Sequence, residues 1–534
     1  MKLIIRDYLL SLKEKDELDT VLCDLCFQMG YTLSSIPKTG NRQYGVDISA
    51  SNTNEILLFV VKQGDISRDV WDDNKNSVRQ SLNDIKDSYF HCSLKVSEST
   101  KAIKIIVATN GYLEETVKPA WKGYTENDIS YQGIKVTYDF WGIEEISDYV
   151  YKHLFNEKLF DAETQSNMRK ALYFVDESVY RNLYLENVVD SFSQKILLET
   201  NTTKKEKLAR SAFLASQMVA YYAHQAGRNK LAIAATEYFI IKYWYCLKKD
   251  TFRKPKLIEK LSIFLKQYEK WNDIYYETVK PFCYRKDAFF AFHPAENTVL
   301  IYEVLEHLIA YAYYLSFKLD SQEKFLDVVN SIKGIIVNNA SFYYTPYDCH
   351  IRVVGMLYRL LDRAGCSEEV KALMYNHCSC LVQWFRLCKS YPSPEDDFED
   401  VVRMRTAMYD GEYLSSAFWG EMLRWIVLYD QKALYNDLDT FLNQDLKEVT
   451  KCTWLLKADE EDALYESWAM YKAGDGTSFD ASKYKKLAKD IRLVEKQYKK
   501  EKFSFDEHCF EGLEFIIAKY FGNLIRVKRE ESKK

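Results

Sequence analysis

The sequence predicts an α/β domain at the N-terminus followed by a large all-α region of helical-repeat or bundle type. Three observations carry this. Over residues 16–155, short β-branched and apolar runs alternate with stretches of helical periodicity, the pattern of a mixed sheet flanked by helices. From about residue 160 onward the pattern is helical almost throughout. With only 18 Gly and 8 Pro in 534 residues, the chain has few breakers, so long helices with short connections are expected.

The elements follow in order. Leu18, Val21, Leu22, Leu25, Cys26 and Met29 keep an i, i+3, i+4 rhythm, so residues 16–30 form a helix that Gly30 ends. Tyr31–Ile36 is a short strand and 37–41 a turn. Two further strands, 45–50 and 56–63, are joined by the polar turn Ser51-Asn52-Thr53-Asn54. A polar amphipathic helix spans 69–89, with Ser67 or Asp69 suited to cap it. Ala102–Ala108 is a strand rich in β-branched residues, 113–121 a helix, 134–141 a strand and 143–155 a helix.

Beyond this, 208–224 and 230–247 form an antiparallel helix pair around the turn 225–229, with Ala220, Ala223, Ala232 and Ala235 allowing close approach. Helices are also expected at 296–317, 322–338, 349–364, 367–388, 398–408, 412–430, 432–448, 460–472, 480–500 and 505–526. Breaks fall at the Pro- and acid-rich 391–397 and at 474–478. No clean 34-residue period is present, so an irregular solenoid or stacked bundle fits best. The expected domains are 1–158, 159–390 and 391–534.

A formal net charge of −5 gives no global basic signature, so any nucleic-acid contact must be local. No secretory signal or membrane span is visible, and the chain reads as cytoplasmic, with its twelve cysteines as reduced, mostly buried thiols. Cys23 and Cys26 lie within a helix and lack a partner pair. His377-Cys378-Ser379-Cys380 lacks a recognisable ligand spacing, so neither run reads as a metal site. No phosphate-binding GxxxxGK[ST] loop and no GxSxG elbow occur.

The chemistry concentrates in residues 43–71. Gly45-Val46-Asp47-Ile48 and Phe59-Val60-Val61-Lys62 lie on two paired strands, so Asp47 and Lys62 can converge at one end of a sheet. A carboxylate that holds a metal beside a lysine near a phosphate or water suits phosphodiester cleavage. With Glu17 in the first helix, Gln80 in the helix after Lys62, and Tyr138-Asp139-Phe140-Trp141-Gly142-Ile143 before the last, residues 10–155 resemble the restriction-endonuclease-like PD-(D/E)XK superfamily.

The resemblance implies a Mg²⁺-dependent (or Mn²⁺-dependent) DNA endonuclease in which Asp47 holds the metal and Lys62 positions water. It departs from the family pattern at Val60, where a second metal ligand is expected and no ligand atom stands. Glu17 is the expected substitute, with Gln63 or Asp65 contributing if a bulge shifts the strand end. Arg68, Arg79 and Gln80 are candidate nucleic-acid contacts, although Asp69, Asp72 and Asp73 lie beside them. Trp71 is expected to pack in the core.

The architecture suggests a bacterial restriction or anti-phage effector, whose helical part senses a trigger, binds a protein partner or builds a homo-oligomer. Two other readings stand beside it. One is a non-enzymatic interaction or scaffold protein whose nuclease-like domain has lost its second ligand. The other is an RNA-directed nuclease using the same residues.

Overall fold

The computed structural model describes residues 2–35, 44–73, 76–92, 101–126, 129–131, 133–155, 160–176, 182–249, 255–289, 294–345, 347–348, 350–389, 391–392, 415–455, 457–462, 465, 475–500, 502–507, 510 and 512–521. It divides into two compact units, Met1–Phe239 and Ile240–Lys534. The division falls inside a helix, whereas the limits expected from the sequence fall at 158 and 390.

The first unit opens with α1 (Lys2–Leu10) and α2 (Asp19–Gln28), and continues with β1 (Thr32–Ser35), β2 (Ile48–Ser51) and β3 (Glu55–Lys62). Then come α3 (Val78–Asp84), a short α4 (Phe90–Cys92), β4 (Ala102–Thr109), α5 (Lys118–Thr125), β5 (Ile129–Tyr131), β6 (Ile134–Trp141) and α6 (Ile143–Leu154). The strands form one mixed sheet in the order β1-β2-β3-β4-β6-β5. β3, β4 and β6 run parallel to their neighbours at the centre, and the flanking pairs are antiparallel.

The central strands are apolar on both faces because both faces are covered. Leu58 and Val60 of β3 pack with Ile103, Ile105 and Val107 of β4 against Trp71, Val78, Leu82 and Ile85. Trp71 sits edge-on to Trp121 and Tyr124 of α5, so it is a core residue as expected. On the opposite face Phe59 meets Trp141, which in turn meets Tyr149 of α6.

The expected helix 69–89 is divided. Ser67 caps its first turn (Asp69–Asp73) by accepting from Val70 N, and Ser77 caps α3 by accepting from Gln80 N. Positions 74 and 75, and the expected turn at 37–41, lie outside the described residues.

The helices α7 (Ala162–Tyr173), α8 (Leu183–Leu198) and α9 (Thr202–Gln225) belong to this unit, and α10 (Asn229–Lys249) begins in it. The expected pair is α9 and α10. Phe213 packs on Phe239, Gln217 donates to Thr236, and the four alanines are buried. α9 also docks on α2. Arg210 pairs with Asp24 and Glu206 and covers the Phe27 ring, while Lys207 Nζ donates to Gln28 O at 2.7 Å. Arg210 is 2% exposed, and its buried charge is paired on two sides.

The second unit is mainly helical. It contains the end of α10, α11 (Pro255–Cys283), α12 (Pro294–Leu315), α13 (Gln322–Asn338), α14 (His350–Arg363) and α15 (Ser367–Cys388), followed by shorter helices such as Ala417–Leu428 and Tyr484–Tyr498. The expectation of an all-α region needs correction. β7 (Ser415–Ser416), β8 (Thr450–Leu455) and β9 (Asp475–Phe479) form a small sheet, with β8 central. The supposed break at 474–478 supplies most of β9. The expected helix 398–408 and most of 460–472 lie outside the described residues.

Asp348, just ahead of α14, caps the helix Ala417–Leu428 from a distance. It accepts from Ser416 Oγ at 2.9 Å, Ala417 N at 2.8 Å and Phe418 N at 3.0 Å. Three donors converge on one buried carboxylate at the positive end of a helix.

Candidate functional site

The site lies where β2 begins and β3 ends. Tyr44 and Gly45 both take positive φ, 48° and 79°, and turn the chain into β2. Gly45 lies against the backbone of Ser81 in α3, where a Cβ would come within 2.1 Å of the Ser81 carbonyl oxygen. Both the conformation and the close approach require glycine there.

Two residues on, Asp47 N donates to Phe59 O, and Asp47 Oδ2 accepts from Val61 N at 2.8 Å. Burial raises the Asp47 carboxyl from its ordinary 3.8 to about 6. The Val61 N–H and the Lys62 charge oppose that rise, and the Glu14 and Asp19 carboxylates add to it.

Lys62 is the last residue of β3 and is half-buried. Strand alternation puts it on the face of Val60 and Leu58. The parallel register with β4 runs without a slip from Glu55 to Lys62, so no bulge moves a ligand into the place of Val60. Gln63 is exposed just beyond the strand. Asp65 is occupied, since its Oδ1 accepts from Tyr112 N at 2.8 Å.

The sequence reading missed the group that holds this corner together. Asn110, 2% exposed at the end of β4, accepts from Gly64 N at 2.8 Å through Oδ1. Its Nδ2 donates to Leu9 O at 2.9 Å and Leu12 O at 2.8 Å. One amide thus ties the loop after Lys62 to the end of α1, from which the chain continues through Glu14 to Asp19. The available signal was Thr109-Asn110-Gly111 directly after a β-branched strand, which reads simply as a loop.

Glu17, the expected substitute ligand, lies in a turn. Asp16 is left-handed at φ 65°, so residues 14–18 form a turn ahead of α2 instead of continuing its helix. In that turn Glu17 Oε2 accepts from Lys13 N at 2.9 Å and closes the loop. The acidic groups acting on Asp47 are Glu14 and Asp19. Asp19 is buried at the start of α2, takes the Thr20 N–H at 2.6 Å, and has its own carboxyl raised by burial.

The three nucleic-acid candidates do not join this cluster. Arg79 pairs with Asp72 at 2.9 Å and Gln80 donates to Asp84 at 2.8 Å, both on the exposed face of α3. Arg68 is exposed in the loop before the first helical turn. In the second unit His377 is fully buried between Tyr302 and Tyr358, which its ring nitrogens meet at 3.2 and 3.4 Å. Burial pulls it down to about 3, so it is a neutral core histidine.

Among the described residues, no three of His, Cys, Asp and Glu gather into a group that could hold a metal ion. Carboxylates remain. Val61 occupies one oxygen of Asp47, and the Asp19 carboxylate, itself raised by burial, adds to the rise at Asp47. An all-oxygen donor set completed by water suits Mg²⁺ or Mn²⁺ and does not suit Zn²⁺. In comparisons with known proteins, no family model, curated protein or solved structure matched the chain.

Proposed function

We propose that the first unit is a PD-(D/E)XK-like, Mg²⁺- or Mn²⁺-dependent DNA endonuclease domain, with its site at the Asp47 corner of the sheet. The observation that carries this is Asp47 itself, a carboxyl raised to about 6 by burial, pressed further by Glu14 and Asp19, with Lys62 alongside. The order of helix, three strands, helix and parallel strand supports the same reading. So does the placement of these groups at the carboxyl end of a parallel strand, where open α/β sheets bind ligands.

Asp47 and Asp19 would hold the cation. When bound, a divalent cation supplies charge to the scissile phosphate and a more acidic water. Lys62, at the strand end, orients that water or neutralises charge growing on the phosphate. The helical region would serve as the sensor, partner-binding or oligomer-forming part of a bacterial defence effector, a setting that rests on architecture alone.

Incubation of the full chain with plasmid and with RNA, in Mg²⁺ or Mn²⁺, tests this beside Asp47→Asn, Asp19→Asn and Lys62→Ala. DNA cleavage that all three variants lose supports the assignment. Cleavage unchanged in Asp47→Asn and Lys62→Ala overturns it, and cleavage of RNA alone reassigns the substrate.

One observation favours a second reading, a non-enzymatic scaffold. Val60, where a ligand is expected, is buried in the core beneath Trp71 and Val78. Titration calorimetry with Mn²⁺ separates the two, because a scaffold binds no cation that depends on Asp47.

A further inference from the structure

In the second unit a lysine and a cysteine from different helices meet. Lys333 lies on α13 beside the buried Ile332 and Ile335. Cys366 lies in the tight turn between α14 and α15. That turn is held on both sides. Gly365, left-handed at φ 77°, donates to Asp362 O at 3.0 Å, and Cys366 N donates to Leu361 O at 2.8 Å. This paired closure ends α14 and fixes the direction in which the Cys366 side chain leaves the backbone. The Cys366 carbonyl then accepts from Val370 N at 3.2 Å and starts α15.

Lys333 Nζ stands 2.9 Å from Cys366 Sγ. That separation is ordinary for an N–H···O bond and short for one to sulfur, whose larger radius holds a donor further off. Glu369, in the first turn of α15, takes the same ammonium at 3.2 Å. Burial lowers the Lys333 ammonium, but its hydrogen bonds to Cys366 and Glu369 outweigh this and leave it above its usual range. Cys366 Sγ also lies 3.7 Å from Ala364 O, so the sulfur is held in place between α13 and the turn. Cys366 is a free thiol, half-buried, and Lys333 is 31% exposed, so small oxidants reach the pair.

The geometry points to a modification site: an oxidative crosslink between Lys333 and Cys366 through one bridging oxygen, with dioxygen as the oxidant. The amine and thiol groups together bring three hydrogens. Dioxygen accepts four electrons, two from nitrogen and two from sulfur. One of its oxygens forms the N–O and O–S bonds. The other leaves as water with two of the hydrogens, and the third stays on nitrogen. The bridge joins α13 to the α14–α15 turn and makes this part of the unit redox-sensitive. Reductant cleaves the O–S bond and releases the pair.

Mass spectrometry of the full chain, air-oxidised or kept anaerobic with dithiothreitol, tests this after proteolysis. The expected product is a linked peptide pair carrying Lys333 and Cys366, heavier than the sum of its parts by one oxygen less two hydrogens. It appears only after oxidation, disappears on reduction, and is absent in Lys333→Arg and Cys366→Ser. Lys333→Arg keeps the charge and the hydrogen bond, so its loss of the product reports the amine itself. A pair lighter by two hydrogens alone means a direct S–N bond and overturns the oxygen bridge. Unlinked Cys366, whether unchanged or carrying added oxygens, overturns the crosslink.

Discussion

Asp47 in the first unit and Asp348 in the second carry the same perturbation for opposite ends. Burial raises each carboxyl to about 6. Asp348 is answered by three donors at a helix N-terminus. Asp47 is answered by one backbone N–H and the Lys62 charge, while two further carboxylates press on it. A buried carboxylate fully met by donors holds a structure together, whereas one met only in part is a candidate for a functional role. The shift alone does not tell them apart. The identity of the neighbours does.

Substitution separates the two most sharply. Asp47→Asn is expected to lower Mg²⁺-dependent cleavage by about 100-fold or more, and to leave the fold as stable as before or more so at pH 7. Single-turnover cleavage and urea denaturation read the two effects. Asp348→Ala is expected to cost about 3 kcal/mol, because it leaves buried donors without an acceptor. Denaturation that showed Asp47→Asn to be the more damaging of the two would reverse the comparison.

The pH dependence sharpens it further. A carboxyl that binds its proton more tightly in the folded state favours folding below its unfolded value. That contribution is lost as pH rises through the folded one. For Asp47 the window runs from 3.8 to about 6. The stability gained by Asp47→Asn should therefore be near zero around pH 4, grow to at most about 3 kcal/mol by pH 7, and shrink again in saturating Mn²⁺. Denaturation midpoints across that range, with and without the cation, measure it.

The smallest effect belongs to the exposed face of α3. Arg79→Ala and Gln80→Ala each break one surface contact and should change stability by less than about 0.5 kcal/mol. Cleavage should stay within about twofold of the parent if that face does not bind DNA. A larger loss of cleavage would restore them as contacts.

The strands that carry Asp47 and Lys62 were legible because each is a short apolar run bounded by turn residues, a signal that depends only on local sequence. α13 and α15 were legible from periodicity, down to their ends. The turn around Glu17 was not. Glu17 looked like part of a regular helix, and the left-handed Asp16 that puts it in a turn is revealed by no period. β5 has three residues and rests on its pairing with β6. β8 and β9 are stabilised by each other across an intervening segment, so neither announces itself alone. α11, 29 residues long, falls between the pair at 208–247 and the helix expected from 296, where no helix was expected.

Asn110 has a consequence for how this corner comes into being. Its bonds to Leu9 and Leu12 close loops of about a hundred residues, and its bond to Gly64 closes one of nearly fifty. Such long closures cost entropy that is recovered only when all the partners are present, so they form late in folding. During synthesis, Asp19, Asp47 and Lys62 all leave the ribosome well before Asn110. A nascent or truncated chain ending before residue 110 carries every acid and base proposed for the site but lacks the amide that ties Gly64 to Leu9 and Leu12.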